Sequence, residues 1–303
     1  MKKLRLRCVA PLIAGAIVVC ALLVVAGCGG NEAGGKIKVA ASIVPLAYFC
    51  RAVGGNLVEV RVMVPPGASP HTFEPTSGQM KFLSDATLFV SNGLDLERWA
   101  SDVVQKVSNR DIVTVVAADA APRSRLLKGE RLYDPHVWLD PSLAVYEVRA
   151  IRDGFIMADP SHMDMYTKNA DQYINELEAL DRDIKSETSK FSKKEFVALH
   201  PAWTYFAARY GLRQEGVIEE LPGKEPSARQ IADIVDMIRE LGIKVVFAEP
   251  QFNSKAAEVI AQEAGPGVVV RKLDPLGDPD DPEVSNYIKL MKHDLAQMRE
   301  VMK

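Results

Sequence analysis

Short apolar runs alternate with helical patterns in two stretches of the chain, residues 36–158 and 191–303. Apolar runs of four or five residues predict strands, whereas apolar residues at three- and four-residue steps predict helices. The predicted strands are 37–41, 58–62, 87–91 and 112–116 in the first stretch, and 196–199, 214–218, 245–248 and 268–270 in the second. Helical patterns include 96–107 and 227–241, the latter capped by Ser227. This order predicts an α/β fold with two lobes of mainly parallel sheet.

The most periodic segment lies between the two stretches, at residues 159–190. Its apolar side chains form one continuous helical stripe: Met163, Tyr166, Ala170, Tyr173, Leu177, Leu180 and Ile184. A helix from Ser161 to Ser189 would be roughly 44 Å long, at about 1.5 Å per residue. That length favours a helix that bridges two lobes. A coiled-coil dimer seam is the alternative, although coiled coils usually extend over more heptads.

The first 35 residues are typical of an export signal followed by a tether. Four basic residues precede position 8, no charged residue occurs from 8 to 26, and small residues stand directly before Cys28. These features predict a lipoprotein signal at 1–27, lipidation of Cys28 and a flexible tether at 28–35. An uncleaved membrane anchor is the alternative, because an apolar segment of about 20 residues can span a bilayer. Both alternatives place the remaining chain outside the cytoplasm.

Charge and cysteine content narrow the class of protein. Without the four basic residues of the signal, 33 of the 37 lysines and arginines remain against 40 acidic residues. An acidic body of this kind is not expected to bind nucleic acid. Of the four cysteines, Cys8 and Cys20 belong to the signal and Cys28 is the lipid site. The remaining Cys50 lies in an apolar run, which predicts a buried thiol rather than a ligand.

Proline-flanked histidines and acids at strand ends are the candidate chemistry. Three of the five histidines stand beside prolines: His71, His136 and His200. His200 follows a predicted strand, as do Glu249 and Asp274, and ligands bind at the carboxyl edge of open α/β sheets. Prolines stiffen such loops and reduce the entropy lost on binding a small ligand. A lone histidine is usually structural, so the prediction rests on several together; His162 and His293 are expected to be solvated.

Motifs of common enzymes are absent from the sequence. The chain contains no His-Glu-x-x-His zinc-protease motif, no Gly-x-Ser-x-Gly nucleophile elbow and no Walker A loop. It also lacks Gly-rich cofactor loops, and its acidic turn at 278–281 does not have the spacing of a calcium-binding loop. We therefore do not expect an enzyme.

Three segments carry a resemblance to a known family. They are residues 134–141 (DPHVWLDP), residues 247–252 (FAEPQF) followed by Lys255 and the 257–261 helix, and residues 273–277 (LDPLG). They resemble the metal-binding lipoproteins of ABC importers for zinc or manganese, the TroA-like solute-binding family. The resemblance covers essentially all of residues 36–303. It implies an α/β fold with lobes at 36–158 and 191–303, a linking helix at 159–190 and a metal site in the cleft between the lobes.

The resemblance also implies a set of ligands. Carried over residue by residue, the metal ligands fall on His71, His136, His200 and Asp274. Glu249 is then a nearby second-shell acid or an alternative ligand. Many zinc-binding relatives have a long histidine-rich loop before the second ligand, whereas residues 117–135 contain no histidine. A metal-scavenging loop of that kind is therefore not expected here.

The expected function is capture of a divalent metal outside the membrane and its delivery to an ABC permease, by a monomer anchored through lipid. Three imidazoles and one carboxylate favour tetrahedral Zn²⁺, whereas Mn²⁺ prefers more oxygen ligands. A manganese-binding protein is the main alternative. A surface adhesin and a metallohydrolase are further alternatives. A metallohydrolase keeps one position for water, which four protein ligands do not leave.

Overall fold

The structure, a computed structural model, describes residues 35–106, 109, 111–129, 132–220 and 223–303. The predicted signal and Cys28 lie outside these ranges, and so does the predicted tether apart from Gly35. Across the described ranges, no helix is both long enough and apolar enough to cross a bilayer.

The first sheet consists of four parallel strands in the order β2-β1-β3-β4. They are β1 (Ile37–Ala41), β2 (Val58–Val62), β3 (Leu88–Ser91) and β4 (Val113–Val116). Strand β3 is buried along its whole length, as expected for a continuous apolar run inside a parallel sheet. The helices of this part are α1 (Val44–Gly54), α2 (Ser77–Ser84) and α3 (Ala100–Lys106).

Two long helices follow the first sheet, α4 (Pro141–Ala158) and α5 (Met163–Thr188). The predicted linking helix is α5, whose 26 residues correspond to about 39 Å. A 3-10 turn at Pro160–His162 precedes it. The predicted stripe is buried except for Met163 at the first position of α5, which is 49% exposed. Because α4, α1 and the last helix of the chain pack against α5, the stripe is covered within the chain and offers no coiled-coil seam.

The second sheet repeats the arrangement of the first, in the order β6-β5-β7-β8. Its parallel strands are β5 (Glu195–Ala198), β6 (Arg213–Val217), β7 (Val245–Ala248) and β8 (Val269–Lys272). The helices of this part are α6 (Thr204–Tyr210), α7 (Ala228–Leu241), α8 (Lys255–Ala264) and α9 (Tyr287–Met302). Ser227 caps α7 and forms a capping box with Gln230, as its position in the sequence suggested. The predicted fold of two parallel-sheet α/β parts joined by a long helix is confirmed.

The predicted strands agree with the observed ones to within two residues at each end. The predicted helix at 96–107 was wrong at its start, because α3 begins only at Ala100. The chain first makes a tight turn in which Gly93, Leu94 and Asp95 have positive φ angles. This left-handed turn directly precedes the predicted start, and the chain enters the right-handed helix only four residues later. The predicted end of the helix lies beyond Lys106, outside the described residues.

The two sheets share a continuous apolar core, and a smaller cluster of apolar side chains covers the opposite face of the second sheet. Helix α9 packs against α5 and α1, so the end of the chain returns to the first part of the molecule. The Tyr48 hydroxyl donates a hydrogen bond to the Val284 carbonyl, and the Tyr287 hydroxyl donates one to the Trp138 carbonyl. The first contact fixes the loop after β8 relative to α1, and the second fixes the start of α9 relative to the loop before α4.

Candidate metal centre

Three loops bring the proline-flanked histidines together. His71 lies between β2 and α2, His136 between β4 and α4, and His200 two residues after β5. One ring nitrogen from each histidine lies within 4.8 Å of the other two. Among the described residues, no other group of three histidine, cysteine or acidic side chains converges in this way. The arrangement joins ring nitrogens from both halves of the fold, which makes these histidines candidate metal ligands.

The ring of His136 is oriented by Asp134, its neighbour in the same loop. The Asp134 carboxylate accepts a hydrogen bond from the His136 backbone N–H at 2.9 Å and lies 2.7 Å from Nδ1. A carboxylate in this position keeps the ring proton on Nδ1 and leaves Nε2 free to bind a metal. Four residues after His136, Asp140 caps α4 and Pro141 occupies the first turn of that helix. The loop is therefore fixed on both sides of the ring.

His200 is oriented in the same way by an acid from the neighbouring strand. A carboxylate oxygen of Glu249 lies 2.7 Å from His200 Nδ1, and both side chains are buried. Glu249 directly follows β7, and β5 and β7 are adjacent in the sheet. The strand order reverses between these two strands, and such a switch point opens a crevice for ligands at the carboxyl edge. The position of the pair thus follows from the sheet topology.

The free ring nitrogens surround a very small cavity. The Nε2 atoms of His136 and His200 are 3.3 Å apart, and the three ring centroids are separated by 5.1 to 5.8 Å. The Nε2 atom of His71 is buried and has no hydrogen-bond partner among the described residues. The cavity volume is about 10 Å³, which is close to the space that one water molecule needs. The site therefore accommodates a single atom and excludes organic solutes.

The electrostatic surroundings of His71 favour its neutral imidazole form. Burial, together with the neighbouring His136 and His200, lowers the pKa of His71 to about 2. His71 is consequently unprotonated at neutral pH, which is the form in which imidazole binds metal ions.

Asp274 lies beside the cavity but outside the group of converging histidines. Its Oδ1 atom accepts hydrogen bonds from Gln251 Nε2 at 2.9 Å and from the Leu276 backbone N–H at 3.0 Å. Its own backbone N–H donates to Asp294 Oδ1 at 2.9 Å. Gln251 and Leu276 both line the cavity, so the Asp274 carboxylate is attached to the wall of the site. Its role as a ligand stays a prediction.

The remaining histidines and the described cysteine lie elsewhere. His162 is exposed and pairs with Asp159, while His293 is 3.5 Å from Glu283 on the surface. Cys50 is fully buried in the apolar part of α1, and burial raises the pKa of its thiol. A thiol that stays protonated is a poor metal ligand, so Cys50 contributes only to packing.

Three polar side chains of this region had no predicted role: Asp134, Gln251 and Asp294. Asp134 lies two residues before the candidate ligand His136, and Gln251 lies two residues after the candidate acid Glu249. That proximity was the signal available in the sequence. Asp294 neighbours His293, which was expected to be solvated, yet Asp294 is fully buried and burial raises its pKa. It follows the buried Met291 by three residues and precedes the buried Met298 by four, so helical spacing could have identified it.

Comparison with known proteins agrees with this geometry. The family model for the periplasmic component A of zinc-uptake complexes matches residues 39–301. The high-affinity zinc uptake system protein ZnuA of Bacillus subtilis (strain 168) is 29% identical over an alignment of 307 residues, gaps included. The alignment covers 94% of this chain and 95% of that protein. The zinc-binding protein AdcA of Streptococcus pyogenes serotype M3 is 31% identical over 287 residues, covering 88% of this chain.

The chain spans only 56% of the length of that AdcA protein. Among solved structures, a zinc-bound ZnuA from which residues 138–173 were deleted superposes with a TM-score of 0.78. It is 30% identical, and the match covers 88% of this chain and 98% of that one. The two-sheet architecture and the converging histidines therefore occur in a chain whose sequence and fold both match zinc-uptake proteins.

Proposed function

Because the chain belongs to the family of periplasmic A components of zinc-uptake complexes, we propose that it captures Zn²⁺ outside the cytoplasm and delivers it to the permease of an ABC importer. The single observation that carries this proposal is the cavity for one atom between ring nitrogens of three histidines. Such a site binds an ion rather than a sugar, an amino acid or a peptide. The names of the zinc-binding relatives support the same ion.

The spacing of the histidines supports zinc in particular. Zn–N bonds are about 2.0–2.1 Å long, so two ligands of a tetrahedral zinc lie roughly 3.3–3.4 Å apart. The Nε2 atoms of His136 and His200 are 3.3 Å apart. These two nitrogens are therefore already at the separation that a tetrahedral zinc requires.

Asp274 is the proposed fourth ligand, and Glu249 is the acid that orients His200. With three nitrogens and one carboxylate oxygen the ion is four-coordinate, which leaves no position for a catalytic water. This coordination favours transport over hydrolysis. Mn²⁺ remains the alternative cargo, although a nitrogen-rich site of four ligands suits zinc better.

The anchoring of the protein is part of the proposal. A lipid on Cys28 would hold residues 36–303 at the outer face of a membrane, within reach of a permease. Cys28→Ala should abolish labelling with a radioactive fatty acid and release the protein in soluble form. A wild-type protein that carries no lipid would refute the anchor and leave the metal site unaffected.

Elemental analysis of the protein, purified without added metal, tests the proposed function. We expect one zinc per chain, and a variant with alanine at His71, His136 and His200 should contain none. In competition, zinc should displace manganese at near-equal concentrations, and excess manganese should not displace zinc. Tighter manganese binding would change the cargo, whereas a wild-type protein that binds neither ion would refute the function.

A further inference from the structure

The two oxygens of the Asp274 carboxylate are in different situations. Oδ1 accepts one hydrogen bond from the Gln251 side-chain amide and another from the Leu276 backbone. No hydrogen bond to Oδ2 occurs within the described parts of the chain. Two donors on Oδ1 use the positions from which that oxygen would otherwise bind an ion, whereas Oδ2 remains available.

Gln251 is placed to control this difference. It follows Glu249 by two residues in the loop after β7 and lines the same cavity as the histidines. Only its NH₂ group can face a carboxylate, because an amide oxygen cannot donate a hydrogen bond. Its Oε1 atom is buried without a partner among the described residues, which is unfavourable for stability. Within the described residues, the hydrogen bond to Asp274 is therefore the one polar interaction of this side chain.

The number of Asp274 oxygens that reach the ion decides its coordination number. One oxygen with three imidazoles gives four ligands, the preferred number for zinc. Two oxygens give five ligands and a larger share of oxygen, which suits a harder ion such as Mn²⁺. We propose that Gln251 is a specificity-determining residue, which holds Oδ1 of Asp274 so that only Oδ2 coordinates the ion. This inference rests on the proposed function.

The test compares Gln251→Leu with wild type for binding of Zn²⁺ and Mn²⁺. The substitution removes one of the two donors to Oδ1 and leaves the Leu276 N–H, so one lone-pair position of Oδ1 becomes open to the ion. The ratio of zinc to manganese affinity should therefore fall roughly tenfold, as expected for loss of a hydrogen bond to a charged group. In the Gln251→Leu variant, Co²⁺ bound in place of zinc should lack the intense visible absorption that a four-coordinate Co²⁺ gives in wild type. Gln251→Met, which keeps the unbranched length, replaces the leucine variant if thermal melting shows that the latter is unfolded.

Gln214→Leu is the matched control. Gln214 lies on β6 and also has a buried Oε1 without a partner, so the same change removes an amide away from the site. It should leave both the affinity ratio and the cobalt spectrum unchanged. A Gln251 variant that binds zinc with wild-type ratio and spectrum would overturn the role of Gln251 alone. A wild-type protein that binds neither Zn²⁺ nor Mn²⁺ would instead overturn the proposed function.

Discussion

The indole N–H of Trp138 donates a hydrogen bond of 2.7 Å to the carbonyl oxygen of Pro275, 137 positions further along the chain. Trp138 follows the candidate ligand His136 by two residues, and Pro275 directly follows the candidate ligand Asp274. The bond therefore sets the position of a loop from the first half relative to a loop from the second. The Trp138 ring also lines the cavity, 5.4 Å from the His136 ring.

Trp138→Phe should reduce both stability and zinc affinity. The substitution leaves the buried Pro275 carbonyl without its donor, which costs about 1–3 kcal/mol, and removes part of a packed ring. Denaturant unfolding and zinc titration would measure the two effects. Trp203→Phe is the control for loss of ring volume, because Trp203 is equally buried and its Nε1 has no partner among the described residues. It should retain wild-type zinc affinity; an equal loss of affinity in both variants would contradict the role of the Pro275 bond.

Replacement of His71, His136 or His200 by alanine should weaken zinc binding by more than about 100-fold, since even partners of metal ligands change affinity by 10–100-fold. Each variant should also lose the rise in melting temperature that zinc produces in wild type, because an ion that binds only the folded state stabilises it. His162→Ala is the control, since this exposed histidine lies outside the converging group. Equal losses in His162→Ala and His136→Ala would rule out the assigned ligands.

The carboxylates of Asp134 and Glu249, which face His136 and His200, should affect zinc affinity without contacting the ion. Asp134→Asn and Glu249→Gln keep the shape of the side chain but remove the charge that holds the proton on Nδ1, so each should weaken zinc binding by about 10–100-fold. Isothermal titration would measure the change. Asp153→Asn, at a carboxylate that is 60% exposed, should bind like wild type. Unaltered zinc affinity in both Asp134→Asn and Glu249→Gln would mean that packing alone orients the two histidine rings.

The metal-free protein should lose stability in acid through His71. An unfolded histidine has a pKa near 6.5, whereas burial with His136 and His200 alongside lowers the pKa of folded His71 to about 2. Between these values the unfolded chain binds one more proton than the folded chain. The free energy of unfolding should therefore fall as the pH drops below about 6.5, by about 1.4 kcal/mol per pH unit from this group.

Denaturant unfolding between pH 7 and 4, with a chelator present, would measure that slope. His71→Gln should make it shallower by one proton, and His162→Gln should not. The same lowered pKa affects metal binding, because His71 has no proton to lose when the ion arrives. Three ordinary imidazoles would give a steep loss of zinc affinity below about pH 6; the folded site should give a shallower one.

Local patterns were sufficient to predict the framework of the site. The strands are apolar runs bounded by polar loops, and the carboxyl edge of a parallel sheet follows from their order. Prolines beside His71, His136 and His200 therefore identified three side chains that do converge. The long helix was equally accessible, because a stripe at steps of three and four residues persists over its whole length.

The orientation of Asp274 could not be predicted in this way. It depends on the side-chain amide of Gln251, which lies 23 positions earlier in the chain, in the loop after β7. Sequence periodicity contains no information on which way a carboxylate rotates about its own bond. The left-handed turn at 93–95 was missed for a related reason, since Leu94 is not a residue that normally adopts positive φ.

The cavity of about 10 Å³ has a consequence for timing. A hydrated ion is far larger than this space, so its water shell must be exchanged for imidazoles as it enters, and the same exchange must run backwards when it leaves. With no room for a water beside the ion, that reverse exchange has to wait until the surrounding loops move apart. The residence time of the cargo is then set by the protein rather than by bond strength alone. A permease that moved those loops apart would shorten the residence time of the ion at the membrane without changing the affinity of the protein in free solution.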